Sequence, residues 1–161
     1  MSWMPHVTVA TVVLRDGLFL LVEEESPNCA HWVINQPAGH VEAQESLIDA
    51  AIRETVEETG WTVQPTHVLG LYTYTPPSAP QSTYYRVCFL AQAISHDADR
   101  PLDTGIHQAV WMSRDELEAT GRMRSPLVLK CMDDALAGRH FPLDLIFEQA
   151  FFQSTPDVLD A

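Results

Sequence analysis

The chain has 161 residues, 46% of them apolar, and nine Lys and Arg against 22 Asp and Glu, a formal net charge of −13. That length suits one domain over 1–161 with its core at about 5–142, and the acidic balance excludes the broad cationic face of a nucleic-acid binder. No run of about 18 uncharged apolar residues is present to span a bilayer, and MSWMPHVTVA lacks a basic start before a cleavable apolar stretch, so the expectation is a soluble, cytoplasmic protein with neither membrane nor nucleic-acid polymer as partner.

Residues 7–14 and 18–22 are rich in Val, Thr, Leu and Phe, and Arg15-Asp16-Gly17 between them supplies turn chemistry, which predicts a β-hairpin. Residues 23–30 are polar and contain Pro27-Asn28, so a surface loop is expected before HWVINQPAGHVE leads into a helix. That helix is predicted over 45–59, with Gly60 as its left-handed stop. Extended chain follows over 61–75, interrupted at Gln64-Pro65 and ending in the loop PPSAPQS; a further strand is expected over 84–94.

The polar stretch 96–105 reads as loop and 107–112 as a short strand. Ser113 then reads as an N-cap with Glu116 at the capping-box position. A last helix is expected from Ser125-Pro126, cap followed by proline, to about Leu136 before Gly138. The tail over 143–161 carries an apolar cluster, Ile146, Phe147, Phe151 and Phe152, with no evident place in the pattern. Strands and helices in this order imply an α+β domain, a mixed sheet covered by helices. Cys29, Cys88 and Cys131 are odd in number and lack CxxC spacing, so a disulfide scaffold is not expected and a reducing compartment fits.

On the central helix, Leu47, Ile48, Ala51, Ile52 and Thr55 fall along one side and are expected to face a core. Glu54, Glu57 and Glu58 form an adjoining cluster in the last turns. Like charges at that spacing repel by a few tenths of a kcal/mol, and anions at a helix C-terminus oppose the dipole by roughly 0.3–1 kcal/mol each. A hard divalent cation, Mg²⁺ with Mn²⁺ as a possible substitute, would relieve three oxygen anions, and it would also let a polyphosphate approach so acidic a protein; the plain alternative is a solvated acidic face.

Gly39, five residues, Glu45, seven residues, then Arg53-Glu54-Thr55-Val56-Glu57-Glu58-Thr59-Gly60-Trp61 resembles the Nudix box, Gx5Ex7REUxEExGU, at every fixed glycine, glutamate and arginine. Thr55 departs from it at an aliphatic position. PHVTVA, NQPAGHVE, WMSRDEL and RSPLV extend the likeness over most of 5–142 and resemble the NudJ-type phosphatases of that family, as does Pro37-Ala38-Gly39 where many members have PGG.

The resemblance implies a Nudix fold, an α/β/α sandwich with a mixed sheet between helices and a loop-helix-loop metal site. It further implies that Glu57, Glu58 and the Gly39 carbonyl ligate metal, that Glu54 is a ligand or the base that activates water, that Arg53 orients the glutamates, and that Glu45 positions the helix and Arg53.

Outside the box, Asp103 is a candidate extra acid. Arg86 is a candidate phosphate contact or a surface ion pair. Trp32, Tyr74, Tyr84 and His31 are candidates for stacking on an organic group, Trp32 foremost, or for core packing. His40 is either a loop-holding or a phosphate-contacting residue, and Trp111 is expected in the core. The implied activity is Mg²⁺-dependent hydrolysis of a small phosphorylated substrate: NudJ-like removal of terminal phosphate from nucleoside di- and triphosphates and from the pyrophosphate of the thiamine pyrimidine precursor. The alternatives are another Nudix specificity, toward oxidised nucleotides or nucleotide sugars, and a nucleotide-sensing module without turnover. A monomer and a homodimer are equally compatible with the sequence.

Overall fold

Asp16 and Gly17 both adopt positive φ, 53° and 79°, the pair of left-handed residues that a two-residue hairpin loop demands. They join β1 (His6–Arg15) to β2 (Leu18–Glu24) in the expected hairpin. The computed structural model describes residues 3–149. In chain order there follow β3 (Val33–Asn35), β4 (Ala38–His40), α1 (Leu47–Thr59), β5 (Trp61–Tyr74), β6 (Tyr84–His96), β7 (Ile106–Met112), α2 (Arg114–Thr120), α3 (Leu127–Leu136) and a 3₁₀ turn at Leu143–Leu145.

The sheet is mixed, as expected. Its order is β3-β2-β1-β6-β5, with β4 on β1 and β7 on β2; β1 and β6 run parallel, and β5 and β6 antiparallel. Alternation along the strands sends neighbouring residues to opposite faces. Val9, Val68 and Phe89 pack with Ala50 and Ala51 of α1, whereas Ala10, Leu69 and Cys88 pack with Leu117 of α2 and Val128, Cys131 and Met132 of α3. One sheet thus separates two helical layers.

Several boundaries differ from the sequence expectation, each for a tertiary reason. Residues 23 and 24 belong to β2 rather than to a loop, because β3 and β7 pair with them on either side. HWVINQPAGHVE is not a plain lead-in; it contains β3 and β4. Helix α1 begins two residues later than expected, since Ser46 takes the N-cap and its hydroxyl accepts from the Asp49 N–H at 3.0 Å. Pro65 does not interrupt β5; the ladder shifts register between Pro65 and His67 and continues.

Ser113 forms the full capping box with Glu116, but Ser125 does not cap α3 through its side chain, and Pro126 there is already helical at φ −59°. Just before the tail, Phe141 exchanges two backbone hydrogen bonds with Val68; within the tail, Ile146 packs against the α1 layer and Phe147 is exposed. Phe151 and Phe152 lie outside the described residues.

Candidate active site

The buried stripe of α1 holds four of the five residues that periodicity suggested, Leu47, Ile48, Ala51 and Thr55, and differs at Ile52. Ala50, Ala51, Thr55, Glu58 and Thr59 are buried and Leu47 and Ile48 partly so, while Ile52 is half-exposed and packs in none of the core clusters. Thr55, the departure from an aliphatic position, satisfies its hydroxyl with Thr11 Oγ1 and the Ala51 carbonyl, each at 2.7 Å. Glu58 follows one turn later on the same buried stripe and retains only 7% of its accessible surface.

Glu58 is thus buried, and the Glu54 side chain is 12% exposed. The Glu58 carboxylate accepts from the Ala38 N–H at 2.9 Å, which fastens the end of α1 to β4. Burial, opposed by that bond and reinforced by the charges of Glu24, Glu54 and Asp103, pushes its pKa up to about 9. Glu54 is also raised, chiefly by burial, with Arg53 lowering it and Glu57 and Asp103 raising it further.

The Glu54 carboxyl lies directly over Gly39, where any Cβ would fall within 2.0 Å of its Cδ. A side chain at position 39 would push that carboxyl aside, so the glycine leaves Glu54 its place over the loop.

Arg53 binds the loop and the helix together. Its Nε and Nη2 meet both oxygens of Glu45 at 2.6 and 2.9 Å, Nη1 donates to Glu54 at 2.8 Å and to Glu57 at 3.0 Å, and Nη2 donates to the His40 carbonyl at 3.1 Å. Glu45 in turn accepts from the Glu42 N–H at 3.0 Å. These bonds hold the guanidinium pKa above its ordinary value.

From the other side of the helix end, the exposed Asp103 donates its backbone N–H to the Glu57 carbonyl at 2.9 Å. Among the described residues no three His, Cys, Asp or Glu side chains are already gathered into a cation cage. The glutamates instead spend their oxygens on Arg53 and Ala38.

The remaining sequence candidates fall in three places. His40 lies 3.1 Å from His6, whose ring stacks on Tyr84 at 4.5 Å. Trp32 stacks on His107 at 4.6 Å and, with His31, lines a cavity of about 520 Å³ beside Cys29. Tyr74, Tyr84 and Arg86 line a second cavity. Trp111, expected in the core, is half-buried; it meets Trp61 edge-on at 5.6 Å, and the Arg15 guanidinium lies 4.3 Å over its ring.

Three residues escaped the sequence reading: Glu24, Asn35 and Arg124. Arg86 donates to Asn35 Oδ1 at 3.3 Å, Asn35 donates to Glu24 at 3.0 Å, and Arg124 pairs with Glu24 at 3.3 Å. Glu24, raised mainly by its own burial, is one of the charges acting on Glu58. The one available signal was an acidic pair at the end of an apolar strand.

The NUDIX domain profile matches residues 4–130. The chain is a member of the Nudix family. It is 39% identical over 142 residues to Phosphatase NudJ of Escherichia coli K12, covering 88% of this chain and 90% of that protein. Its fold is similar to that of a NUDIX hydrolase from Nitrosomonas europaea, at TM-score 0.86 and 44% identity over 91% of this chain and 99% of the other. A MutT NUDIX hydrolase from Burkholderia pseudomallei, at TM-score 0.64 and 19% identity over 81% and 98% of the two chains, shares the fold.

As a Nudix hydrolase the protein acts on acid anhydrides of small phosphorylated compounds, and among its described residues no helix is long and apolar enough to cross a membrane.

Proposed function

We propose that the protein is a Mg²⁺-dependent Nudix phosphatase of the NudJ kind, removing terminal phosphate from nucleoside di- and triphosphates and from the pyrophosphate of the thiamine pyrimidine precursor. The observation that carries the metal reading is the pair of carboxylates drawn out of water, Glu54 over Gly39 and Glu58 against Ala38, whose protonation is favoured first by burial and then by neighbouring acids, Glu57 and Asp103 for Glu54 and Glu24, Glu54 and Asp103 for Glu58. The donor set is all oxygen, which fits a hard divalent ion such as Mg²⁺ or Mn²⁺ and no soft one. Glu57, Glu58, the Gly39 carbonyl and Glu54 would hold it.

When bound there, the ion supplies positive charge against the phosphate oxygens and acidity for the attacking water. Glu54, drawn above the ordinary carboxylate range, is suited to take that water's proton. Arg53 fixes the directions of Glu54 and Glu57 through one shared nitrogen, and Glu45 holds Arg53 in turn. Asp103 adds negative charge at the same helix end and is the candidate extra acid. Free, buried thiols at Cys88 and Cys131 suit a cytoplasmic setting.

The phosphatase specificity rests on the 39% identity to Phosphatase NudJ; a pyrophosphatase of other specificity is the second reading the family allows. Purified protein is assayed with a panel of nucleoside di- and triphosphates, nucleotide sugars and the thiamine pyrimidine pyrophosphate, with and without Mg²⁺. Orthophosphate release that needs the metal supports the proposal; pyrophosphate or paired monophosphates as products support the second reading. Absence of metal-dependent turnover on every member removes both.

A further inference from the structure

The second cavity is a different environment from the rest of this acidic molecule. It encloses about 330 Å³ between residues 26–29, the 74–79 turn and the start of α3, and none of its lining residues is acidic. Two of the chain's nine Lys and Arg, Arg86 and Arg124, open onto it. Two phenol rings, Tyr74 and Tyr84, and an apolar floor at Val33 and Leu127 complete it. Positive donors beside flat apolar rings recognise an anion that carries an aromatic group.

Arg86 has a further mark of an unmet partner. Its Nη1 donates to Asn35, but its Nε is buried without a hydrogen-bond partner among the described residues. A buried N–H of that kind costs about 1–3 kcal/mol unless something accepts from it. The same arginine is linked through Asn35 to Glu24, whose charge acts on Glu58 in the last turn of α1.

We propose that this cavity receives the organic end of the substrate, with Arg86 and Arg124 as ligands of the phosphate next to that end and Tyr74 and Tyr84 against its ring. The volume stands at the low end of ligand sites, roughly 300–1,000 Å³. It therefore selects one ring-bearing group on a phosphate chain, a nucleoside or a smaller heterocycle, rather than both halves of a two-headed diphosphate. This assignment rests on the phosphohydrolase reading above.

The test uses the full chain in Mg²⁺ and two uncleavable probes: the carbon-bridged analogue of ADP, and methylenediphosphonate, which has the same phosphate mimic and no organic group. Calorimetry measures both for the parent protein, Arg124→Gln and Ser78→Trp; both positions are exposed, and because Arg124 also pairs with Glu24 its variant is checked by a thermal melt, with Ser78→Trp testing the cavity independently of that pair. Arg124→Gln is expected to weaken the ADP analogue roughly tenfold or more, the usual consequence of losing a charge-assisted hydrogen bond. Ser78→Trp, which fills the cavity mouth, should weaken the ADP analogue to the same degree and leave methylenediphosphonate unchanged.

Parent-like affinity of both variants for the ADP analogue overturns the assignment, and so does a parent protein that binds the two probes equally. If the substrate panel shows no turnover and Ser78→Trp still selectively weakens the ADP analogue, the catalytic reading fails and the cavity assignment stands.

Discussion

Helices α1 and α2 are built from the same parts and treat acid in opposite ways. Each starts at a serine whose hydroxyl accepts from the third residue on, and each ends at a glycine in the left-handed region. In α2 Asp115 and Glu116 stand in the first turn, where the dipole favours them, Glu118 further on is paired with Arg114, and the Ser113 N–H and hydroxyl draw the Glu116 pKa below its ordinary value. In α1 Asp49 stands in the first turn, but the cluster Glu54, Glu57 and Glu58 stands in the last turns, where the dipole opposes it, and burial draws Glu54 and Glu58 above their ordinary values. Glutamates in α2 serve the fold. Those in α1 cost it something, and the cost is expected to be recovered when a cation binds.

The strongest way to break this contrast is to remove charge from both helices. Glu54→Gln and Glu57→Gln should each lower turnover by about 10²-fold or more with the far-ultraviolet circular dichroism unchanged, whereas Glu116→Gln leaves turnover at the parent rate. Near-parent rates for either α1 variant would mean that the carboxylates there are no more functional than those of α2.

A second way is to ask each helix about pH. With divalent ions chelated, Glu58 keeps its proton up to about 9, whereas the same residue in the unfolded chain loses it near the ordinary value of 4.5. The stabilisation from its protonated form is complete below the unfolded value and is lost as pH rises through the folded one. Metal-free stability should therefore fall from pH 6 to pH 9, by at most about 1.4 kcal/mol per pH unit for one proton. Glu54, raised as well, acts with the same sign.

Thermal melts in chelator and in Mg²⁺, for the parent and for Glu58→Gln, sharpen the point. The slope should be steep only for the parent in chelator and flatter in the variant. Identical slopes for parent and variant would show that Glu58 is not a strained acid.

The contrast also shows which parts of the molecule a sequence can disclose. The Asp16-Gly17 turn, the Ser113 capping box and the Gly60 stop were legible because each is decided by residues within one turn of one another. The box, a contiguous run over 39–61, was legible through its resemblance to a family motif, and it singled out Glu54, Glu57 and Glu58 before any contact was known.

What it could not disclose is that the buried face of α1 extends to Glu58 and leaves out Ile52. Ile52 looks more apolar than Glu58, yet the sheet covers Glu58, because β4 brings the Ala38 N–H to that side. Glu24 and Asn35 were missed on the same grounds: their roles depend on β2 pairing with both β3 and β7, and on Arg124 arriving from 100 residues away. The docking of Glu148 onto the Leu47 N–H, at 2.9 Å, is a contact of still longer reach and left no trace in the pattern.

The smallest expected effect tests the α2 half of the comparison. Ser113→Ala removes the hydroxyl that accepts from the Glu116 N–H at 3.2 Å, while the Glu116 carboxylate can still accept from the residue-113 N–H, now at 2.7 Å. Half of the box survives, so the loss should be about 1 kcal/mol, a fall in melting temperature of roughly 2–4 °C for a domain of this size. Turnover should not move, because Leu117, the one buried residue of α2, packs on the face of the sheet opposite α1. A drop in activity without a drop in stability would mean that α2 reaches the candidate site at the end of α1 after all, and the division between a helix that serves the fold and one proposed to serve the chemistry would have to be redrawn.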